Sequence, residues 1–102
     1  MGKRRAPDAA VKYINFLRKR NPDITKVYLF GSSAKGTPDI NSDIDIAIIF
    51  RDFPDSFDMQ VQLMKLRRKF DTRIEPHPFR ETDFNNTNPM ANEILLSGIE
   101  IE

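Results

Sequence analysis

The sequence predicts a small α/β domain in the α+β sense: a mixed sheet of few strands backed by helices. Three observations predict it. Helical and strand periodicities alternate along the chain, with turn residues between them. Two runs, Ile24 to Phe30 and Asp43 to Phe50, are rich in β-branched and aromatic residues. The 102 residues suffice for one domain and not for two, so residues 1–102 read as a single domain.

From Asp8 to Arg20, Ala10, Val11, Ile14 and Leu17 recur at helical spacing, and Pro7 is placed to start the helix. Asn21-Pro22-Asp23 ends it. Ile24 to Phe30 reads as a strand whose buried end is Val27 to Phe30. Gly31 to Gly36 reads as a turn entering a short helix, and Thr37 to Ser42 as a polar loop. In the second strand, Asp43, Asp45, Ala47 and Ile49 fall on one face, and Ile44, Ile46, Ile48 and Phe50 on the other. Asp55 or Ser56 then caps a helix with Phe57, Val61, Met64 and Leu66 as its apolar positions and Leu63 and Phe70 nearby. Arg73 to Pro76 reads as a short extended piece, because Pro76 and Pro78 forbid helix and restrict a strand to an edge or an end. Asn88-Pro89 opens a last helix, Gly98 stops it, and Ile99 to Ile101 can add a final strand.

Composition excludes several chemistries. There is no cysteine, so no disulfide, zinc–thiolate site or thiol nucleophile is available. That fits a reducing cytosol, and a cytoplasmic protein is the expectation. The first residues are basic but no apolar stretch follows to make a signal peptide, and no run reaches membrane-spanning length. The formal net charge is +1, but it is unevenly spread. The first twenty residues are basic, the middle from Asp39 to Asp58 is acidic, and Lys65 to Lys69 is basic again. An acidic centre with basic flanks suits a place where cations meet a polyanion, although solvated faces give the same pattern.

The most informative stretch is Leu29 to Phe50, LFGSSAKGTPDINSDIDIAIIF. Asp43 and Asp45 are two residues apart in a strand, so both carboxylates leave one face roughly 7 Å apart along the chain. Aspartate is a poor strand former, and two like charges this close repel. A divalent cation resolves both difficulties, and Mg²⁺ prefers one or two carboxylates with water and phosphate oxygens. A solvent-facing polar side of an amphipathic strand is the plainer alternative. Gly31 permits a sharp turn and close approach to a ligand. A helix beginning near Ser33 would aim free N–H groups over that turn, with hydroxyls from Ser32 and Ser33 beside them. Neither a Gly-Lys-Ser/Thr phosphate loop nor G-x-G-x-x-G is present. A Gly-Ser turn alone is usually a simple helix cap; its conjunction with the aspartate pair points to a nucleoside triphosphate.

These residues resemble the nucleotidyltransferase superfamily of the DNA polymerase β palm type. Its pattern of Gly-Ser, about ten residues, then Asp-x-Asp in a strand is met by Gly31-Ser32 and Asp43-Ile44-Asp45. Leu29-Phe30, Ala34, Gly36 and Ser42 agree with it, and the short length and the ending EILLSGIEIE resemble the minimal nucleotidyltransferases of bacteria and archaea. The resemblance implies a palm-like fold and an enzyme that binds ATP or another nucleoside triphosphate with two Mg²⁺ ions held by three carboxylates. An acceptor hydroxyl takes the nucleoside monophosphate and pyrophosphate leaves, the two ions steadying attacking and leaving oxygens. Asp43 and Asp45 would be catalytic metal ligands, and Gly31, Ser32, Ser33 and Ser42 would form the nucleotide-binding turn.

The third carboxylate comes from Asp71 to His77, where Asp71, Arg73 and Glu75 share a face if the segment is extended. Glu75, within the extended piece, is the choice; Asp71, at the helix-to-strand junction, is the runner-up. Relatives commonly carry Asp here, so Glu75 is a departure. His77, the one histidine, reads as a loop residue between two prolines, with a contact to metal or phosphate as the alternative. Lys35 and Arg80 are candidate phosphate contacts that no spacing selects. Phe79 and Phe84 read as core or interface aromatics.

A lone palm leaves its nucleotide half open to water. A homodimer or a separate helical protein would close it. The resemblance points to the second, because minimal nucleotidyltransferases commonly pair with a helical HEPN protein as antitoxin to toxin. Three functions follow: a transferase that adds AMP to a protein partner, an antitoxin that acts by binding alone, and a transferase for a small molecule such as an aminoglycoside. The last lacks an acceptor-binding domain. Polymerisation on nucleic acid is disfavoured by the near-neutral charge and the absence of a primer grip.

Overall fold

The computed structural model describes residues 7–31 and 43–101. Helix α1 spans Asp8–Arg20, strand β1 Ile24–Phe30, strand β2 Ile44–Phe50 and helix α2 Ser56–Leu66, continued by a 3-10 turn at Arg67–Lys69. Strand β3 is Ile74–Arg80, followed by a 3-10 turn at Glu81–Asp83, helix α3 at Pro89–Ser97 and the short strand β4 at Ile99–Glu100. The sheet order is β3-β2-β1-β4. β1 pairs antiparallel with both β2 and β4, whereas β2 and β3 are parallel and joined across α2. This is the mixed α/β architecture expected, and none of the described helices is long and apolar enough to cross a membrane.

The two faces of β2 fill two cores. Ile44, Ile46, Ile48 and Phe50 pack with Val27, Leu29 and Ile74 beneath α1 and α2. Ala47 and Ile49 pack with Phe79 beneath Ala91 and Ile94 of α3. The alternation read from the sequence therefore holds, but both faces are covered over most of the strand. On α1 the buried stripe is Ala10, Tyr13, Ile14 and Leu17. Tyr13 replaces the expected Val11 because its hydroxyl finds a buried partner, donating to the Leu63 carbonyl at 2.7 Å.

The apolar stripe of α2 differs from expectation. Of the expected positions Leu66 does pack against the core, but Phe57 is 74% exposed; Leu63, expected only nearby, is buried, and Met59 joins it. The sets Phe57/Val61/Met64 and Met59/Leu63/Leu66 both have helical spacing, and they lie about 200° apart on the helix. Only one of them can face the sheet. Asp55 caps this helix by accepting from the Asp58 N–H at 3.0 Å. Asn88 caps α3 the same way, accepting from Met90 and Ala91, with Pro89 at its start. Gly98 ends α3 with ordinary extended backbone; a Cβ there would meet the Ile94 carbonyl oxygen at 2.6 Å.

Strand β3 runs farther than the two prolines suggested. It is an edge strand, and its register explains the tolerance. The Arg73 carbonyl accepts from the Ile44 N–H of β2. The carbonyls of Ile74 and Pro76 instead accept from Arg67 Nη1 and Gln60 Nε2, each at 2.7 Å. Even-numbered residues therefore turn away from β2, so Pro76 and Pro78 withhold no N–H from that ladder.

Candidate active site

Asp45 is the one acidic residue of β2, and register decides its surroundings. It lies opposite Phe30, the last residue of β1, so Gly31 comes directly beside it. Gly31 has φ of 73°, a left-handed conformation, and a Cβ on it would stand 2.6 Å from Asp45 Oδ2. Glycine is needed there on both counts. The junction of strand and turn is thus moulded around the carboxylate.

On the other side of β2, the parallel register sets Glu75 beside Asp45 and His77 beside Ala47. Side chains of one face alternate along each strand, so Asp45, Glu75 and His77 emerge together. One donor atom from each lies within 4.8 Å of the others. His77 Nε2 is 3.3 Å from Asp45 Oδ1, with both side chains 25% exposed. The imidazole and the Phe30 ring form a T-shaped pair, with centroids 5.1 Å apart and planes at 63°. Two carboxylates and one ring nitrogen, partly withdrawn from water and cradled by a glycine that admits no side chain, fit a divalent cation. Among the described residues this is the one such group of three.

The structure distributes the other sequence candidates unequally. Asp43 is exposed immediately before β2 and is not one of that trio. Asp71, the alternative third carboxylate, is engaged by Arg73: Oδ1 accepts from the Arg73 backbone N–H at 2.8 Å and Oδ2 from Nη2 at 2.7 Å. Hydrogen bonds from the Arg73 side chain and then its backbone hold the Asp71 carboxyl below the usual aspartate range. It shapes the turn into β3. Arg80 sits beside Phe50, five residues and roughly 16 Å along β3 from Glu75. Its guanidinium bonds Asp52 and the Phe53 carbonyl and lies over the Phe53 ring. Arg80 as a phosphate contact is therefore corrected to a structural role at the opposite end of the strand. Phe79 and Phe84 belong to the core beneath α3, as expected. Ser32, Ser33, Lys35 and Ser42 lie outside the described residues.

His77 is the residue that sequence reasoning undervalued. Treating the Pro-His-Pro segment as a loop hid it, whereas the structure makes it a strand residue touching Asp45. The available signal was period two: Glu75, His77 and Phe79 share one face of any strand through this segment.

The Polymerase beta nucleotidyltransferase family matches residues 12–101. The chain belongs to that family. Among curated proteins it is similar to the protein adenylyltransferase MntA of Shewanella oneidensis, 38% identical over 64 residues. That match covers 63% of this chain and 46% of the relative, about half its length. Among solved structures it is similar to the toxin–antitoxin MntA-HepT, with TM-score 0.61 and 25% identity over 90% of this chain and 68% of that one. It is also similar to a Sulfolobus solfataricus protein assigned as a nucleotidyltransferase, with TM-score 0.58 and 26% identity over 74% of this chain and 67% of that one. The sheet of this nucleotidyltransferase family member is thus of the polymerase β-like kind, and the carboxylates of β2 and β3 lie where its strands run side by side.

Proposed function

We propose that this chain is a Mg²⁺-dependent nucleotidyltransferase that transfers AMP from ATP to a hydroxyl of a helical HEPN-type protein, as the antitoxin of a toxin–antitoxin pair. The observation that carries the reading is the convergence of Asp45 and Glu75 beside the left-handed Gly31 turn. Similarity to a protein adenylyltransferase and to a toxin–antitoxin assembly supports the acceptor class and the partner.

Asp43, Asp45 and Glu75 are assigned to hold the cations, with Gly31, Ser32, Ser33 and Ser42 forming the turn for the triphosphate. Bound cations would supply charge stabilisation at the attacking and leaving oxygens. The chain's own contribution is position. Asp45 and Glu75 stand on paired strands backed by the buried Ile44, Ile46 and Ile74, so their carboxylates are preorganised. Gly31, with no side chain, leaves the Asp45 carboxylate in place. The acceptor oxygen bonds to the α-phosphorus, the bond from that phosphorus to the bridging oxygen breaks, and pyrophosphate departs while the hydroxyl proton passes to water. A partner is also favoured by the outer side of α3, where Leu96 is 79% exposed with Met90 and Leu95 half exposed.

The test is the intact mass of the candidate helical partner after incubation with this chain, ATP and Mg²⁺. Added mass in whole AMP units, lost in Asp45→Asn and Asp43→Asn, is the expected result. A stable complex without added mass would replace transfer by the binding-only antitoxin. Mass added to an aminoglycoside and not to protein would favour the small-molecule transferase.

A further inference from the structure

We propose that His77 Nε2 is itself a ligand atom of the cation held by Asp45 and Glu75, and that this nitrogen biases the site toward a first-row transition ion over Mg²⁺. The proposal rests on the metal-binding reading of Asp45 and Glu75.

Geometry supports it first. Neighbouring ligand atoms of an octahedral cation, each about 2.1 Å from the ion, stand about 3 Å apart. Nε2 of His77 and Oδ1 of Asp45 are already at 3.3 Å. The Glu75 donor atom completes a trio within 4.8 Å, which a small change in one flexible side chain would close. Placement supports it next. His77 is held in a paired strand, two residues from Glu75 on the same face, and its ring is braced by Phe30. A ligand on a strand with a packed ring loses little freedom on binding. Asp45 is itself located from both sides, Oδ2 against Gly31 and Oδ1 toward His77.

Ligand chemistry supplies the selectivity. Mg²⁺ demands oxygen donors, whereas imidazole suits the first-row transition ions. With two carboxylates and one imidazole the site accepts Mg²⁺ through its oxygens alone, with water in place of nitrogen. An ion that tolerates nitrogen gains a third protein ligand. A simple hydrogen bond between His77 and Asp45 would orient the carboxylate and place no nitrogen on the ion.

Mn²⁺ is the probe, added alone to the full chain and followed by electron paramagnetic resonance, with Mg²⁺ as competitor. The wild type is expected to bind Mn²⁺ about tenfold more tightly than Mg²⁺ and to show ¹⁴N modulation from a directly bound imidazole. His77→Gln is expected to abolish that modulation and weaken Mn²⁺ about tenfold, with Mg²⁺ affinity within about twofold. Wild-type protein that binds Mn²⁺ without nitrogen modulation would overturn the proposal and leave the carboxylate site standing. Equal loss of both ions in His77→Gln, again without modulation, would make His77 a positioning residue. Failure of wild type to bind either ion, with Asp45→Asn unchanged, would sink the carboxylate reading as well. The wild-type spectrum decides the ligand question even if the variant folds poorly.

Discussion

A β-carbon on Gly31 would come within 2.6 Å of Oδ2 of Asp45. Gly31 and Asp45, one from each half of the sequence motif, therefore lie side by side. Gly31→Ala should act twice. A left-handed alanine costs about 1–2 kcal/mol, and the added methyl pushes the Asp45 carboxylate from its position. Transfer activity should fall more than the change in melting temperature explains, which a parallel assay and thermal melt would reveal. Activity retained alongside lower stability would mean that the contact serves folding only.

Glu75 and Asp71 should separate cleanly. Glu75→Gln removes a carboxylate beside Asp45 and should lower transfer by more than about a hundredfold while leaving the melt nearly unchanged. Asp71→Asn should leave turnover within about twofold and lower stability instead, because Arg73 is its partner. The reverse pattern in paired kinetics and melts would move the third ligand to Asp71.

The Asp71 effect should also depend on pH. Its native pKa is lowered, so the unfolded chain binds its proton more readily than the folded one. The contribution is complete above the ordinary aspartate range, about pH 4. It is lost as the pH falls through the depressed native value. Denaturant melts of wild type and Asp71→Asn should differ at pH 7 and converge in acid, below the ordinary aspartate range; a gap that widens in acid would contradict the assigned cause.

Tyr13 should report on the larger core. Burial pushes its hydroxyl pKa well above the usual tyrosine range, and the nearby positive charge of Arg67 offsets this only in part. Tyr13→Phe keeps the ring and its edge contact with Phe70 but removes the 2.7 Å bond to the Leu63 carbonyl. The expected loss is about 1 kcal/mol, or roughly 4–8 °C in melting temperature. No measurable change would mean that water replaces the bond.

The exposed leucine on α3 should matter to assembly and not to folding. Leu96→Asp should leave the melt within about 0.5 kcal/mol of wild type, since the side chain is 79% exposed. If this face docks the helical partner, affinity should drop at least tenfold by calorimetry. Unchanged affinity would place the interface elsewhere.

Much of this molecule was legible in the sequence, because local periodicity and caps act over a few residues. The limits of α1 and β1, the two faces of β2, the Asn88 and Asp55 caps and the edge placement of the proline-bearing strand follow from short-range stereochemistry. Asp43, Asp45 and Gly31 stood out because their types and spacing are costly in an ordinary strand and turn. Tertiary structure decided what local rules leave degenerate. Two apolar stripes on α2 satisfied the same helical period, and contact with the sheet chose Met59, Leu63 and Leu66. The sequence prefers Glu75 to Asp71 only for its place within the extended piece; the parallel register sets Glu75 beside Asp45, and the turn ties Asp71 to Arg73. His77 acquired its meaning only when β3 aligned with β2, thirty-two residues apart in sequence from the carboxylate it meets. Registers between distant strands are set by the summed burial of whole faces, and no local window of residues contains that sum.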